Sequence, residues 1–201
     1  MKKTGIIFLS FCLIGVLSSH TAQAADAQLY FDKGNAYYND NDFDGAIKDY
    51  SEAISIDPNF AAAYYNRALA YYKKEKFDEA ISDYSKAIEL RADNAEIYHF
   101  RGLAYYRKGL YNNAIEDETK AVSMNPDYAA AYHNRGVAYA KKGQYEKAIE
   151  DYNKALGLLP NYADAYFSRG VAYVRKASED FKKACEKGNQ YACENLKQLS
   201  E

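Results

Sequence analysis

Several residue types are scarce or absent in this sequence, and their scarcity limits the fold and the function. The 201 residues contain no tryptophan and only three prolines, whereas alanine, lysine and glutamate are common. Proline interrupts helices and the three common residues favour them, so we expect a mostly helical protein. The formal charge is −2 and no basic stretch stands out, so we do not expect nucleic acid as a partner.

Sequence patterns that carry catalysis or cofactor binding are also missing. We find no Ser/His/Asp or Cys/His set, no phosphate-binding loop and no metal-ligand spacing. The acidic residues instead follow the repeat period described below, which is typical of a structural role. We therefore predict a protein that is not an enzyme and that has no catalytic residues, no metal site and no cofactor.

Residues 1–24 have the composition of a secretory signal peptide. Two lysines precede a 13-residue apolar stretch at 5–17, and residues 22–24, Ala-Gln-Ala, match a signal-peptidase site. We predict cleavage before Ala25, export to the periplasm or the medium, and no membrane contact afterwards. The alternative is that the segment is retained as a membrane anchor, although 13 apolar residues are few for a bilayer span.

A period of 34 residues organises most of the remaining sequence. Within each period, small residues and tyrosines recur at helical spacing on two successive amphipathic stretches, which predicts a pair of helices. Such a pair cannot bury its apolar face alone, but stacked neighbours can. The small residue of the first stretch is Gly34, Ala68, Gly102, Gly136 or Gly170. The repeats are 27–60, 61–94, 95–128 and 129–162, and residues 163–201 form a truncated fifth repeat and a helical cap.

The sequence also predicts where individual helices begin and end. Gly109 and Gly143 fall between the two helices of their repeats, where a left-handed residue commonly ends a helix. Asp57 and Asn125, each followed by proline, are predicted to cap the first helix of the next repeat.

The order of these residues resembles a known repeat. A 34-residue helix-turn-helix unit with aromatic, Gly/Ala, Tyr, Ala, aromatic, Ala and Pro in sequence is similar to the tetratricopeptide repeat, over about residues 27–176. The resemblance, to exported bacterial members, implies an all-α, right-handed solenoid of about four full repeats with a truncated fifth and a capping helix. It implies a scaffold in the cell envelope that binds peptide segments or protein partners. A membrane-anchored envelope assembly factor is the alternative.

The resemblance also implies a concave groove formed by the first helix of each repeat. One subgroup of such repeats uses a Lys/Asn/Arg clamp for a terminal carboxylate, but Phe31 stands where its first lysine would be. An aromatic, aliphatic or proline-containing segment therefore suits this groove better. Carried over by repeat position, the groove residues are Phe31, Asn35, Tyr38, Tyr65, Asn66, Tyr72, His99, Phe100, Tyr106, His133, Asn134 and Phe167.

Two departures from the repeat pattern place charge within the helix pairs. A basic residue precedes the small residue in every repeat, and an aspartate follows 16 residues later in four of them. We predict Arg–Asp pairs between the two helices, with two separate solvated charges as the alternative. Glu118 replaces the tyrosine of three other repeats, and we expect this carboxylate to be either solvated or paired, with Arg101 or Arg135 as the candidate partner.

Two cysteines, Cys185 and Cys193, remain after the predicted signal segment. An even number of cysteines in an exported chain favours a disulfide. The spacing resembles that of secreted helical-repeat proteins in which a bridge joins two short helices. Two buried free thiols are the alternative.

Overall fold

The computed structural model describes residues 7–90 and 94–199, and side chains from residue 23 onward. Over these residues the chain forms ten α-helices, as the composition and the repeat pattern predict. In chain order they are α1 (Ile7–Asn39), α2 (Phe43–Ile56), α3 (Ala61–Lys73), α4 (Phe77–Glu89), α5 (Ala95–Arg107), α6 (Tyr111–Met124), α7 (Ala129–Lys141), α8 (Tyr145–Leu158), α9 (Ala163–Glu186) and α10 (Gln190–Gln198).

The helices form two compact units, Met1–Asp93 with α1–α4 and Asn94–Glu201 with α5–α10. Within each unit, helices pack in antiparallel pairs, α1 with α2 and α3 with α4, then α5 with α6 and α7 with α8. We call α1, α3, α5, α7 and α9 the first helices of their repeats, and α2, α4, α6 and α8 the second helices. Positions within a repeat are counted from its first residue.

The turn between the two helices of a repeat always uses the same left-handed position. Gly109 and Gly143 have φ values of 77° and 72° there, as the sequence predicts. Asn41 and Glu75 occupy the same repeat position with φ values of 62° and 58°. A non-glycine residue adopts this conformation only at some cost, so the packing of the helix pair imposes the turn on Glu75.

The predicted caps at Asp57 and Asn125 are wrong. The helices that follow begin later, at Ala61 and Ala129. Asp57 and Asn125 instead end α2 and α6. Their side-chain oxygens accept hydrogen bonds from the backbone two residues ahead, at 2.9 and 3.1 Å, which is the short turn that Asp and Asn favour. The proline therefore lies in the loop between repeats and not in a first helical turn.

The two helices of a repeat approach closely because a small residue faces a large one. A Cβ atom added to Gly34 would lie 2.6 Å from the Tyr50 ring, and one added to Gly136 would lie 2.7 Å from the Tyr152 ring. Both tyrosines are 1% exposed. Such rings each bury 150–250 Å² of surface in a core, so the glycine–tyrosine contact is a large part of what joins the pair.

The fifth repeat has a first helix but no second helix of the usual kind. Helix α9 runs for 24 residues without the turn that interrupts the earlier repeats. A turn at Gly188, with φ of 90°, leads into α10, and the Asn189 side chain caps that helix. Cys185 and Cys193 form a disulfide between α9 and α10, the pair that the sequence predicts.

The predicted signal segment falls at the start of α1, which continues through residues 22–25 without a break. Residues 1–6 lie outside the described residues, and so do the side chains up to residue 22. Within the described part of the chain, no helix has the length and apolar character needed to cross a bilayer. Cleavage before Ala25 stays a prediction.

Candidate protein-binding surface

The first unit has a pocket of about 360 Å³ between its two first helices. Helix α1 contributes one wall and α3 the other, while Tyr50 from α2 reaches the pocket from behind. We call this the first-unit pocket. Its lining residues are Asn35, Tyr38, Asn39, Tyr50, Asn66 and Leu69.

Three of these side chains are joined by hydrogen bonds. The Asn35 side-chain oxygen accepts from the Tyr50 hydroxyl and from the Asn66 amide, both at 2.8 Å. Burial raises the pKa of Tyr50 to about 12, so its hydroxyl stays protonated and donates. The network fixes two amides beside the pocket, and amide groups of this kind can bind the backbone of an extended peptide.

The second unit has an equivalent pocket of about 350 Å³, here called the second-unit pocket. It lies between α7 and α9, and Tyr152 from α8 reaches it as Tyr50 does in the first unit. Compared with the first-unit pocket, it has fewer amide side chains and more apolar and cationic ones. Its lining residues are Val137, Ala140, Lys141, Tyr145, Tyr152, Phe167, Ser168, Val171, Ala172 and Arg175.

The two pockets are built from the same repeat positions. Positions 9, 12, 13 and 24 of one repeat and positions 6 and 9 of the next line both of them. A recurring pocket of this size that combines polar and apolar side chains is the kind of surface at which proteins bind small segments of a partner.

A sequence-family model for the TPR repeat matches residues 34–75, 70–109, 102–143 and 138–176. The chain belongs to the tetratricopeptide-repeat family. The matched segments cover most of α1–α9 and therefore include both pockets. The family consists of scaffolds that are typically without enzyme activity, so protein or peptide partners are the expected ligands of this TPR array.

Solved structures give the same assignment of fold. A crystal structure of MamA is 33% identical, with a TM-score of 0.73 over 81% of this chain and 91% of that one. YrrB, described as a TPR protein with an unusual peptide-binding site, is 24% identical, with a TM-score of 0.67 over 87% and 84% of the two chains. A MamA from Desulfovibrio magneticus RS-1 is 23% identical, with a TM-score of 0.73 over 87% and 95%. A comparison with curated protein sequences returned no match.

The predicted groove residues are distributed unevenly on this surface. Asn35, Tyr38 and Asn66 line the first-unit pocket and Phe167 lines the second-unit pocket. The other tyrosines at position 12 are half-buried against an aromatic ring of the next helix, as in Tyr72–Phe77 at 5.5 Å. Half-buried residues that line neither pocket are Phe31, Tyr65, Tyr72, Phe100, Tyr106, His133 and Asn134.

His99 is buried in the helix pair of the third TPR unit and is only 6% exposed. Its Nδ1 lies 3.0 and 3.1 Å from the two carboxyl oxygens of Glu118, which is itself 1% exposed. The expectation that Arg101 or Arg135 pairs with Glu118 is therefore wrong, because each of those arginines binds an aspartate. The His99 side chain is therefore part of the core of its repeat and is not accessible to a ligand.

Burial shifts the two members of this pair in opposite directions. It raises the pKa of Glu118 well above the usual value, with the charge of Asp117 acting in the same direction. It lowers the pKa of His99 to about 4. Both shifts favour the uncharged forms, in which the protonated carboxyl of Glu118 donates a hydrogen bond to the neutral imidazole of His99.

His133, at the same position of the fourth unit, has different neighbours. Its ring lies 5.7 Å from the Tyr152 ring, and its two nitrogens lie 3.1 Å from the Ser168 hydroxyl and 3.3 Å from the Tyr162 hydroxyl. Burial lowers its pKa, while a hydrogen bond with Asn134 opposes that shift. The two histidines thus have separate partners, and no three potential ligands within the described ranges are grouped closely enough to hold a metal.

The predicted Arg–Asp pairs are confirmed in three repeats. Arg135 donates from Nε and Nη2 to the two oxygens of Asp151 at 2.8 and 2.7 Å. Its remaining Nη1 donates to Thr119 in the second helix of the preceding repeat. One arginine therefore joins three helices. Arg67–Asp83 and Arg101–Asp117 have the same two-bond geometry.

The first repeat departs from this arrangement because it has Lys33 in place of arginine. The ammonium group lies 5.2 Å from the Tyr30 ring centre, a cation–π contact, and among the described residues no ion pair joins Lys33 to Asp49. A lysine lacks the planar fork that binds both carboxylate oxygens. Arginine identity, and not positive charge alone, is what forms the pair.

The pocket residues that the sequence analysis missed include two sets that each share a repeat position. Position 13 contributes Asn39, Lys141 and Arg175, and position 9 contributes Leu69, Val137 and Val171 besides the predicted Asn35. The repeat pattern could have identified position 9, because the predicted groove residue Asn35 lies there. The residue types at positions 9 and 13 differ from repeat to repeat, and only the packing of neighbouring first helices shows that these positions line the same pocket.

Proposed function

We propose that this TPR protein is a scaffold of the bacterial cell envelope that binds extended peptide segments of partner proteins along its first helices. The observation that carries the proposal is the pair of equivalent pockets, one in each unit, built from the same repeat positions. YrrB, which has the same fold, is described as having a peptide-binding site, and this is consistent with peptide ligands here.

Each pocket favours different chemical groups of a peptide ligand. Fixed amides at Asn35 and Asn66 suit backbone carbonyl and amide groups in the first unit. In the second unit, Phe167 and Val171 offer apolar contact, and Lys141 and Arg175 suit an acidic or terminal carboxylate. Peptides with apolar and acidic residues are therefore the expected ligands.

A random peptide library panned on the full chain tests this function. We expect selected peptides to lose at least tenfold in affinity with Leu69→Arg, which places a long cation in the first-unit pocket. The matched control is Ser82→Arg, which adds the same side chain to the exposed face of α4. Equal affinities for both variants and the unchanged chain, or the absence of selected peptides, would refute peptide binding in this pocket.

The envelope location is supported by the signal-like composition of residues 1–24. N-terminal sequencing of the protein recovered from the producing bacterium tests it. A mature chain that begins at Ala25 in the periplasmic or secreted fraction is the expected result. A chain that keeps residues 1–24 in the membrane fraction would favour the anchored assembly factor, and one that keeps them in the cytoplasm would refute export.

A further inference from the structure

Helix α9 exposes the surface that a second helix covers in the other repeats. A Cβ added to Gly34 or Gly136 would meet a second-helix tyrosine ring, but no heavy atom lies within 4 Å of a Cβ placed on Gly170 at the same position. Phe167 and Val174 beside it are 75% and 51% exposed. All three residues line a depression of about 530 Å³. An exposed apolar patch of this kind is typical of an interaction surface.

The sequence of a second helix is nevertheless present, in the second half of α9. Residues 177–184 read Ala-Ser-Glu-Asp-Phe-Lys-Lys-Ala, which matches the Ala-x-x-Asp-Tyr-x-x-Ala of the second helices at 46–53, 80–87 and 148–155. Tyr152 and Phe181 are 29 residues apart, five fewer than the period. The missing residues are those of the turn and of the start of the second helix, so the two halves of the fifth repeat are joined in one helix.

This segment lies too far from Gly170 of its own helix to cover it. Helix α9 is continuous over 24 residues, so Phe181 lies roughly 16 Å along the axis from Gly170. A return would need a turn near residues 173–176, where the sequence Tyr-Val-Arg-Lys has none of the glycine or asparagine that forms the left-handed turn at Asn41, Gly109 and Gly143. A hinge this short favours exchange of the segment between two copies of a chain.

The same helix carries a heptad pattern in which large and small side chains alternate. The spacing of four and three residues places them on one face, as in a coiled coil, over about three heptads. These residues are Ala163, Phe167, Gly170, Val174, Ala177, Phe181 and Ala184.

An antiparallel pair of α9 helices would match these sizes in every layer. In the fourth repeat the central glycine faces the central aromatic ring of the second helix, and the same contact between two copies sets the register. A large side chain facing a small one lets two helices approach closely. The layers would then pair Phe167 with Ala184, Gly170 with Phe181, and Val174 with Ala177.

Charge is complementary in this register. Among the described residues no ion pair involves Arg169 or Asp180, and Cys185 stands where the other repeats have the aspartate. In the fourth repeat the arginine before the glycine binds the aspartate before the tyrosine. Arg169 and Asp180 precede Gly170 and Phe181 in the same way. Each Asp180 would therefore lie beside the Arg169 of the other copy.

The other groups near the centre of α9 leave this face open. Arg175 lies about 140° around the helix from Gly170, and Lys176 binds Glu146 of α8. Helix α10 is bonded to α9 through Cys185, at the edge of the face. Its Leu199 borders the depression without filling it.

We propose that α9 pairs in antiparallel orientation with α9 of a second copy of this chain, and that each copy supplies the second helix of the other's fifth repeat. The contact is two-fold symmetric, so it closes as a dimer and forms each layer and each Arg169–Asp180 pair twice. Phe167 also lines the second-unit pocket, which the dimer would border. The first-unit pocket shares no residue with this face, so the proposal does not depend on peptide binding there.

Sedimentation velocity of the full oxidised chain over a range of concentrations tests the dimer. We expect a monomer–dimer equilibrium that weakens at least tenfold with Gly170→Phe, because two rings would then meet in one layer. Adding Phe181→Ala to that variant exchanges the large and the small side chain, and the dissociation constant should return to within threefold. The matched control is Gly157→Phe, at another exposed helical glycine with open surroundings, which should change it less than twofold. Circular dichroism verifies that each variant is folded.

A charge exchange identifies the register. Arg169→Asp and Asp180→Arg should each weaken the dimer at least fivefold, and the double variant should recover it. A chain that stays monomeric at millimolar concentration would overturn the proposal, because its own segment or another protein would then be the occupant. A dimer that Gly170→Phe leaves unchanged would overturn it too, since the contact would lie elsewhere. Leu69→Arg should leave the dimer unchanged, which separates this result from any failure of the proposed peptide pocket.

Discussion

The third and fourth repeats share almost every structural residue but differ at the centre of the helix pair. Both have a glycine, an Arg–Asp pair and a histidine at matching positions. Glu118 fills the third repeat, whereas Tyr152 fills the fourth. Both are 1% exposed. The same backbone geometry therefore accepts an aromatic ring or a carboxyl group at one buried position.

The difference lies in what each central residue requires of its neighbour. Tyr152 needs a ring contact, which His133 supplies at 5.7 Å. Glu118 needs a hydrogen-bond partner because a buried polar group without one is costly, and His99 supplies it at 3.0 Å. We therefore expect replacement of the histidine by another ring to cost less in the fourth repeat than in the third.

The largest effect should come from removing that partner. His99→Phe keeps a ring of suitable size, since Phe31 occupies this position in the first repeat, but it leaves Glu118 without its hydrogen bond. We expect a loss of about 3 kcal/mol in the free energy of unfolding, measured by urea titration. His133→Phe is the control and should cost about 1 kcal/mol. Equal losses would show that the pair has no special role.

Breaking the ion pairs should have similar effects in both repeats, because this part of the structure is common to them. Asp117→Asn and Asp151→Asn each leave a mostly buried guanidinium without its carboxylate, and we expect losses of about 2–3 kcal/mol. Burial raises the pKa of both aspartates although the arginines oppose it. Losses below about 0.5 kcal/mol in urea titration would mean that the charges act independently.

Converting the third repeat to the fourth should stabilise it. Glu118→Tyr replaces a buried carboxyl with the ring found at Tyr152, and His99 can then pack as His133 does. We expect a gain of about 1–2 kcal/mol at pH 7 from added apolar burial. A lower melting temperature would contradict this and indicate that Glu118 is kept for another reason.

That gain should grow with pH. The pKa of Glu118 is raised on folding, so its favourable contribution is complete below the unfolded value of 4.5 and is lost as pH rises toward the folded value. The pKa of His99 falls from 6.5 to about 4 on folding, so its contribution is complete above pH 6.5 and lost as pH falls. The Glu118→Tyr variant has no Glu118 contribution to lose, so its gain over the unchanged chain increases as pH rises above 4.5. Urea titrations at pH 5.5 and 8 should show a larger gain for Glu118→Tyr at pH 8, and an equal gain would contradict the assignment.

The smallest effect concerns the glycines that face these central residues. A Cβ at Gly136 would meet the Tyr152 ring at 2.7 Å and a backbone oxygen at 3.1 Å, so Gly136→Ala should cost about 1 kcal/mol despite better helix propensity. A Cβ at Gly102 would come no closer than 3.2 Å to the Glu118 side chain, a contact that a shift of a few tenths of an ångström relieves, so Gly102→Ala should be nearly neutral. Thermal unfolding measures both, and the opposite order would overturn the packing argument.

Much of the fold could be predicted because the determining residues recur. Gly136 and Tyr152 repeat their types at a spacing of 34 residues in most units, and that regularity predicts the helix pairs, the truncated fifth repeat and the Arg–Asp pairing. The caps at Asp57 and Asn125 were mistaken because an Asp-Pro or Asn-Pro sequence fits a loop turn as well as a helix start.

The candidate site was less predictable. His99 and His133 have the same residue type and repeat position, so the sequence assigns them the same surface role. Their exposure differs because one pairs with Glu118 and the other packs on Tyr152. The repeat position of a residue determines the direction in which its side chain leaves the helix. The neighbouring side chains determine whether that side chain is exposed.

The sequence by itself determined the period, the helical class, the family and the pairs that hold the helices together, because each depends on residue types at fixed spacings along one or two helices. Only the tertiary structure decided the partner of Glu118, the left-handed turn at Glu75, the residues that line the two pockets and the open face at Gly170. These depend on contacts between side chains that are distant in sequence, and on which contacts are left unmade where a helix ends the array.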